Sequence, residues 1–214
     1  MILIEESDWL APALADLKPV TLRGERVTVA PLTLDDAADL FELGRDETMW
    51  KFMPRPAFTS VDDTREFIEE ALAQQEAGEG IPFSIRTNAD GAMIGHLRFL
   101  DPQPVHGSLE VGWVMITPDL WRARFALEAG FLLFEHAFET LGISRLWMKT
   151  DANNVAARQT MEIAGMSYEG TLRKHGLVRP GYVRDSAIYS ALAEDWFEKS
   201  PAAAEFIAAA AESP

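Results

Sequence analysis

The residue with the clearest chemical potential is Glu110, a lone carboxylate in the run Ser108 to Ile116, whose pattern reads as a strand. Period-two geometry puts Glu110 on one face with Gly112, Val114 and Ile116, and sends Leu109, Val111, Trp113 and Met115 to the other. A carboxylate in such apolar surroundings must be paired or solvated, and burial lifts its pKa toward the range of a general base. The reading against catalysis is a salt bridge across the sheet, for instance to Arg98 on the neighbouring strand. Downstream, the loop Thr117 to Ala126 leads into a helix from Leu127 to Leu141. A strand running into a helix N-terminus aims free N–H groups and a positive dipole at one spot, and Arg122 and Arg124 add two cationic forks there. Together these predict an anion site; the competing reading is that both arginines pair with surface carboxylates.

Other chemistries lack their residues. His96, His106, His136 and His175 are scattered and form no pair at helical spacing, so no metal site is expected. The absence of cysteine removes thiolate zinc sites, iron–sulfur clusters, disulfides and a cysteine nucleophile, and fits a reducing compartment. Neither a G-x-S-x-G elbow, a Walker loop nor G-x-G-x-x-G occurs.

The elements that must position these residues follow from periodicity. Thr21 to Pro31 reads as a strand, and Thr33 caps a helix whose stripe Leu34, Ala37, Ala38 and Phe41 ends at Gly44. Trp50 to Phe58, rich in aromatics and prolines, reads as a loop, and Ser60 opens a second helix that ends at Gly78 and Gly80. Pro82 to Thr87 and Ala92 to Leu100 form a hairpin around Asn88 to Gly91, and Asp101 to Gly107 turns into the Glu110 strand. Strand Arg145 to Thr150, helix Asn153 to Ala164, strand Met166 to Arg173, a turn at Arg179 to Gly181 and strand Tyr182 to Leu192 complete the pattern. The expected fold class is α+β (α/β), one domain over residues 21–198 with a mostly antiparallel mixed sheet, an N-terminal extension over 1–20 and a helical tail over 199–214.

The chain has 214 residues, 34 acidic against 19 basic, a formal charge of −15 and 48% hydrophobic residues. A chain of this length buries about 70% of its unfolded surface and needs no staples. Its acidity, with a pI near 4.6, argues against nucleic acid as a partner. Met1 to Ala15 carries acidic residues where a secretory signal would be basic, and no run of ~18 apolar residues occurs, so no membrane partner and a cytoplasmic location are expected.

A longer pattern carries a resemblance. The run Glu110 to Val114, then Pro118, Trp121, Arg122, Glu128 and Ala129, and the helix Leu132 to Gly142 strongly resemble the GNAT acetyltransferase superfamily. Lys149 to Asn154, Ala157, Arg158, Ala164 to Met166, Leu172 to His175, Val183 to Ser186, Tyr189, Ser190 and Trp196 continue it in order, and Leu22 to Val27 fits the first strand. The branch it most resembles contains the RimJ/RimL-type acetyltransferases of ribosomal-protein N-termini. The resemblance covers about Thr21 to Trp196.

That resemblance implies a central sheet splayed open at its middle, flanked by helices, with acetyl-CoA as cosubstrate in the gap. The backbone of Met115, Ile116 and Thr117 would meet the pantetheine and thioester. Arg122, Ala123, Arg124, Phe125, Ala126 and Leu127 would hold the pyrophosphate, and Asn154 and Arg158 would lie at the cofactor's far side. Glu110 matches the base position, and Tyr189 is a remote candidate for the acid because Met161 stands where many members carry tyrosine. Trp50, Phe52 and Phe58 would wall the acceptor site, with Arg98 and Trp113 beside them. The implied partner is an amine-bearing substrate, an N-terminal α-amine or a small molecule, and exposed strand edges make a homodimer reasonable.

An α-amine of pKa near 8 is roughly a quarter neutral at physiological pH, whereas freeing a lysine amine costs about 4 kcal/mol first, so a low-pKa amine is the easier acceptor. One departure stands out: Trp121 to Ala126 has no glycine, and a left-handed non-glycine residue in such a turn costs about 1–2 kcal/mol. It motivates a rival reading, a non-catalytic binding or scaffold protein with a degenerate CoA loop. A second rival moves a longer acyl group.

Overall fold

The computed structural model describes residues 10–117, 125–196 and 198. Eight strands form one sheet: β1 Leu22–Arg23, β2 Val27–Pro31, β3 Gly80–Thr87, β4 Met93–Gln103, β5 Ser108–Ile116, β6 Arg145–Asp151, β7 Ser167–Arg179 and β8 Tyr182–Leu192. Their order is β1-β2-β3-β4-β5-β6-β8-β7. Every neighbouring pair is antiparallel except β5 and β6. Among the described residues the sheet is flanked by α1 Ala37–Gly44, α2 Val61–Glu76, α3 Phe125–Glu135 and α4 Val155–Ile163. The expected mixed, mostly antiparallel sheet with flanking helices is what forms.

Helix starts follow local chemistry. Ser60 Oγ accepts from Asp63 N at 3.1 Å at the head of α2, and Asn154 Oδ1 accepts from Ala157 N at 3.2 Å at the head of α4. At Thr33 the Asp36 carboxylate reaches back to the Thr33 N–H at 2.7 Å, and a single 3-10 turn precedes α1. The helix expected over Leu127 to Leu141 begins at Phe125 and loosens into a π-turn over His136–Thr140.

Three strands differ from expectation. β4 runs to Gln103, which pairs with Ser108, so the turn expected over Asp101 to Gly107 shrinks to a 3-10 turn at Pro104–His106. Thr21 to Pro31 is a tight hairpin rather than one strand, with Leu22 paired to Val29. The bend is held from outside: the Glu128 carboxylate, 4% exposed, accepts from Arg26 N and Arg26 Nε at 2.8 Å each. A Cβ at Gly24 would collide with that carboxylate. β7 runs six residues past Arg173, to Arg179, because backbone pairing with β8 carries it where the side chains, mostly exposed, give no apolar signal. The turn at Pro180 and Gly181 forms as expected, with Gly181 at φ +76°.

Side chains pack in two clusters, one on each sheet face. The larger, beneath α3, joins Val27, Phe83, Leu97, Leu109 and Val111 to Leu133 and Phe134, and continues to Leu146, Ala187 and Tyr189. The smaller, under α1 and α2, gathers Leu40, Trp50, Phe58, Phe67, Ile68 and Met115. Among the described residues no helix is long and apolar enough to cross a membrane.

Candidate active site

The parallel contact is short. Only Ser108, Leu109 and Glu110 of β5 pair with Arg145, Leu146 and Trp147 of β6, after which the strands separate. From Val111 onward the edge of β5 toward β6 has no sheet partner, and a cavity of about 200 Å³ opens there. Glu110, Gly112 and Trp113 line it from β5, Met148, Lys149 and Thr150 from β6. Asn154 and Met161 of α4 close one side, and Phe52, Met53 and Arg184 the other.

A bulge shapes the β5 wall. Arg98 pairs with Gly112 and His96 with Met115, so Trp113 and Val114 together oppose the single residue Leu97. Trp113 takes φ +52°, a left-handed conformation unusual for an aromatic residue. The extra residue breaks the strict alternation expected from the sequence. Ile116 joins Leu109 and Val111 in the α3-side core instead of sharing the face of Glu110, while Met115 and Trp113 pack on the α2 side.

Glu110 is 3% exposed, and its partner is Lys149, whose Nζ donates to Oε2 at 2.7 Å. Strand pairing explains the match: Glu110 sits opposite Trp147, and Lys149, two residues on, shares that face. Burial pushes the Glu110 carboxyl above its usual range, with Lys149 opposing by hydrogen bond and charge, Asp101 adding to the rise and Arg184 opposing it. Arg98, the cross-sheet partner considered from the sequence, faces elsewhere. It is 4% exposed, lies over Phe67 and Trp113 at 4.4 and 4.9 Å, and donates to His96 and Gln74. Burial lowers its pKa to about 10.

The remaining sequence-derived residues divide by position. Phe52, Trp113 and Asn154 line the cavity with Glu110; Trp50, Phe58 and Arg98 do not. Trp50 and Phe58 are core residues, edge-on to each other at 4.9 Å, with Trp50 Nε1 donating to Gly44 O at 2.6 Å. Tyr189 is fully buried beside α4; its hydroxyl donates to Glu162 at 2.9 Å and accepts from Arg158 Nε at 3.1 Å. It does not line the cavity, whereas Met161 does. Arg158 is held by Tyr189 and the Ala152 carbonyl and also stays outside it. Met115 and Ile116 turn their side chains into the two cores, leaving backbone at the splay, and Thr117 N donates to Ile94 O. Phe125, Ala126 and Leu127 form the first turn of α3, whereas Arg122, Ala123 and Arg124 lie outside the described residues.

Three polar residues of the cavity, Lys149, Thr150 and Arg184, have no site role assigned from the sequence. Lys149 was legible in principle, since parallel pairing of the two strands would put it near Glu110, but the register of a parallel pair is not written in hydrophobic period alone. Arg184 comes from the far hairpin, whose length was underestimated.

The splay itself suits an extended thiol-bearing cofactor, because an unpaired strand edge offers backbone groups along its whole length. Residues 26–167 match the model of the acetyltransferase (GNAT) domain. The chain is 26% identical to the uncharacterized N-acetyltransferase p20 of Bacillus licheniformis over 82% of this chain and 98% of that one. It is 30% identical to a probable GNAT-family acetyltransferase from Chromobacterium violaceum, covering 85% and 90% of the two chains with a TM-score of 0.78. The fold is also that of RimL, a ribosomal L7/L12 α-N-protein acetyltransferase solved with coenzyme A, at TM-score 0.72 and 15% identity over 81% and 98% of the chains. A domain match over most of the chain, on a sheet that parts where Glu110 stands, makes this protein a member of the GNAT acetyltransferase family.

Proposed function

We propose that the chain transfers an acetyl group from acetyl-CoA to a primary amine, an N-terminal α-amine or that of a small molecule, by direct attack, with Glu110 as the base. The observation that carries the reading is the Glu110 carboxylate, buried at the point where β5 leaves β6 and held by Lys149 at 2.7 Å. Acetyl-CoA, when bound, supplies an activated thioester. The unpaired backbone of the β5 bulge, the head of α3 and Asn154 are the groups that would hold it. Glu110 takes the proton of the attacking amine, directly or through one water, and Lys149 favours the ionised carboxylate against the burial that raises its pKa. No tyrosine lines the cavity among the described residues, and an amine already partly neutral near pH 7 is the acceptor that asks least of a single base. The β7 edge, at the end of the sheet, is compatible with a homodimer.

The test pairs binding with turnover. Calorimetry with acetyl-CoA and desulfo-coenzyme A should show saturable micromolar binding. Glu110→Gln should keep that binding and lose about 100-fold or more in kcat, the range of general-base catalysis. Undiminished turnover in Glu110→Gln would remove the role assigned to it. The glycine-free stretch Trp121 to Ala126 supports the second reading, a non-catalytic binding protein, and absence of binding at millimolar cofactor would favour it.

A further inference from the structure

The charges around the cavity do not cancel. Glu110 is matched by Lys149, which leaves Arg184 as a surplus cation in the wall of the same chamber. In a chain of formal charge −15 a guanidinium has many carboxylates to choose from. Yet among the described residues no carboxylate lies within 4 Å of Arg184, and its one side-chain hydrogen bond is from Nε to Ser186 Oγ at 2.9 Å. Ser186 is fully buried and its hydroxyl also meets His175 Nδ1 at 3.0 Å, so the stem of Arg184 is held from behind. Among the described residues neither terminal nitrogen has a protein partner. A guanidinium fixed through Nε presents those two donors as a fork, the geometry that matches a carboxylate.

We infer that Arg184 receives a carboxylate of the acceptor, so that the substrate is an amine bearing a carboxylate close by: a free amino acid, or a peptide whose first residue is acidic. The inference rests on the amine-acetylation reading above and narrows it. Polycationic amines fit poorly, because an additional ammonium group near Arg184 and Lys149 meets like charge. The loop residues Phe52 and Met53 and Val178 of β7 form the apolar remainder of this side of the chamber, and an ion pair made against apolar walls is stronger than one in open water.

Two matched pairs of acceptors separate the sources of the carboxylate: alanine against alaninamide, and aspartyl-alaninamide against asparaginyl-alaninamide. Each is titrated by calorimetry into protein saturated with desulfo-coenzyme A and assayed for turnover with acetyl-CoA. For at least one pair the acid should bind about tenfold or more tightly than its amide, as expected for a charge-assisted fork. In Arg184→Met that ratio should fall to about one while desulfo-coenzyme A affinity is kept. Equal binding of acid and amide, or no binding of any acid, would overturn the assignment. So would a variant that loses cofactor affinity and keeps the ratio, which would move Arg184 to the cofactor. Absence of turnover with an intact binding ratio would count against the acetylation reading and leave the carboxylate site standing.

Discussion

Lys149 Nζ and Glu110 Oε2 meet at 2.7 Å from two strands that pair over only three residues. The ammonium, half-buried over the ring of Trp147 at 4.8 Å, is the main influence opposing the burial that raises the Glu110 pKa. Replacing Lys149 by Met should leave burial opposed by the charge of Arg184 alone. The acid limb of kcat/KM should then move to higher pH by about 1 unit or more, because the base works only when ionised. Lys149→Arg, which keeps the charge, should restore most of the profile; a pH–rate series for the three proteins checks this.

His96 gives the fold its own response to acid. Its Nδ1 faces the Phe83 carbonyl at 2.9 Å and its Nε2 receives Arg98 Nε at 3.1 Å, an arrangement that fixes the neutral ring with its proton on Nδ1. Burial first, and the charge of Arg98 second, bring its pKa to about 3 from 6.5. Between those two values the unfolded chain holds a proton that the folded one refuses, so stability falls as pH drops below 6.5, by up to about 1.4 kcal/mol per pH unit. Unfolding midpoints from pH 7.5 to 4.5 should show this slope, and His96→Gln should flatten it.

The Glu128 carboxylate ties α3 to the β1–β2 hairpin through Arg26. Glu128→Ala removes the acceptor of three hydrogen bonds, from Arg26 N, Arg26 Nε and Val27 N, in a site where the carboxylate is 4% exposed. A loss of about 3 kcal/mol is expected by urea unfolding, since breaking a buried pair strands its partner. Glu128→Gln should recover part of it.

Arg179 links the far hairpin to the loop before α2, donating to the carbonyls of Trp50 at 3.4 Å and Lys51 at 2.7 Å. That loop supplies Phe52 and Met53 to the cavity. Arg179→Ala should raise the acceptor KM by about 3- to 10-fold with little change in cofactor affinity, because the loop's position, not its chemistry, is disturbed. Steady-state kinetics with calorimetry for the cofactor separate the two.

Hydrophobic period and capping residues carried most of the architecture into view. Ser60 and Gly181 act where their types predict, because a cap or a left-handed turn is a local requirement. Glu110 also stood out, as an acidic residue in an apolar strand. What stayed hidden depends on partners far along the chain. The Trp113 bulge adds a residue without altering composition, yet it reassigns Ile116 to the opposite face. Lys149 and Arg184 reach the site through parallel register and a long exposed hairpin, neither of which leaves an apolar signature. Trp50 and Phe58 illustrate the converse, since aromatic residues in a loop read equally well as a binding wall or as core.

The brevity of the β5–β6 contact makes the molecule two stiff plates joined by a weld. Force passing across an ordinary sheet travels through its backbone ladder, but here the ladder stops at Glu110 and Trp147. Beyond that point side chains couple the plates: the α3-side core, the Lys149–Glu110 pair and the Arg179 contacts to the Trp50 and Lys51 carbonyls. A guest wedged along the open seam would therefore brace both at once, and the protein should be most resistant to heat and proteolysis when it is carrying its cargo.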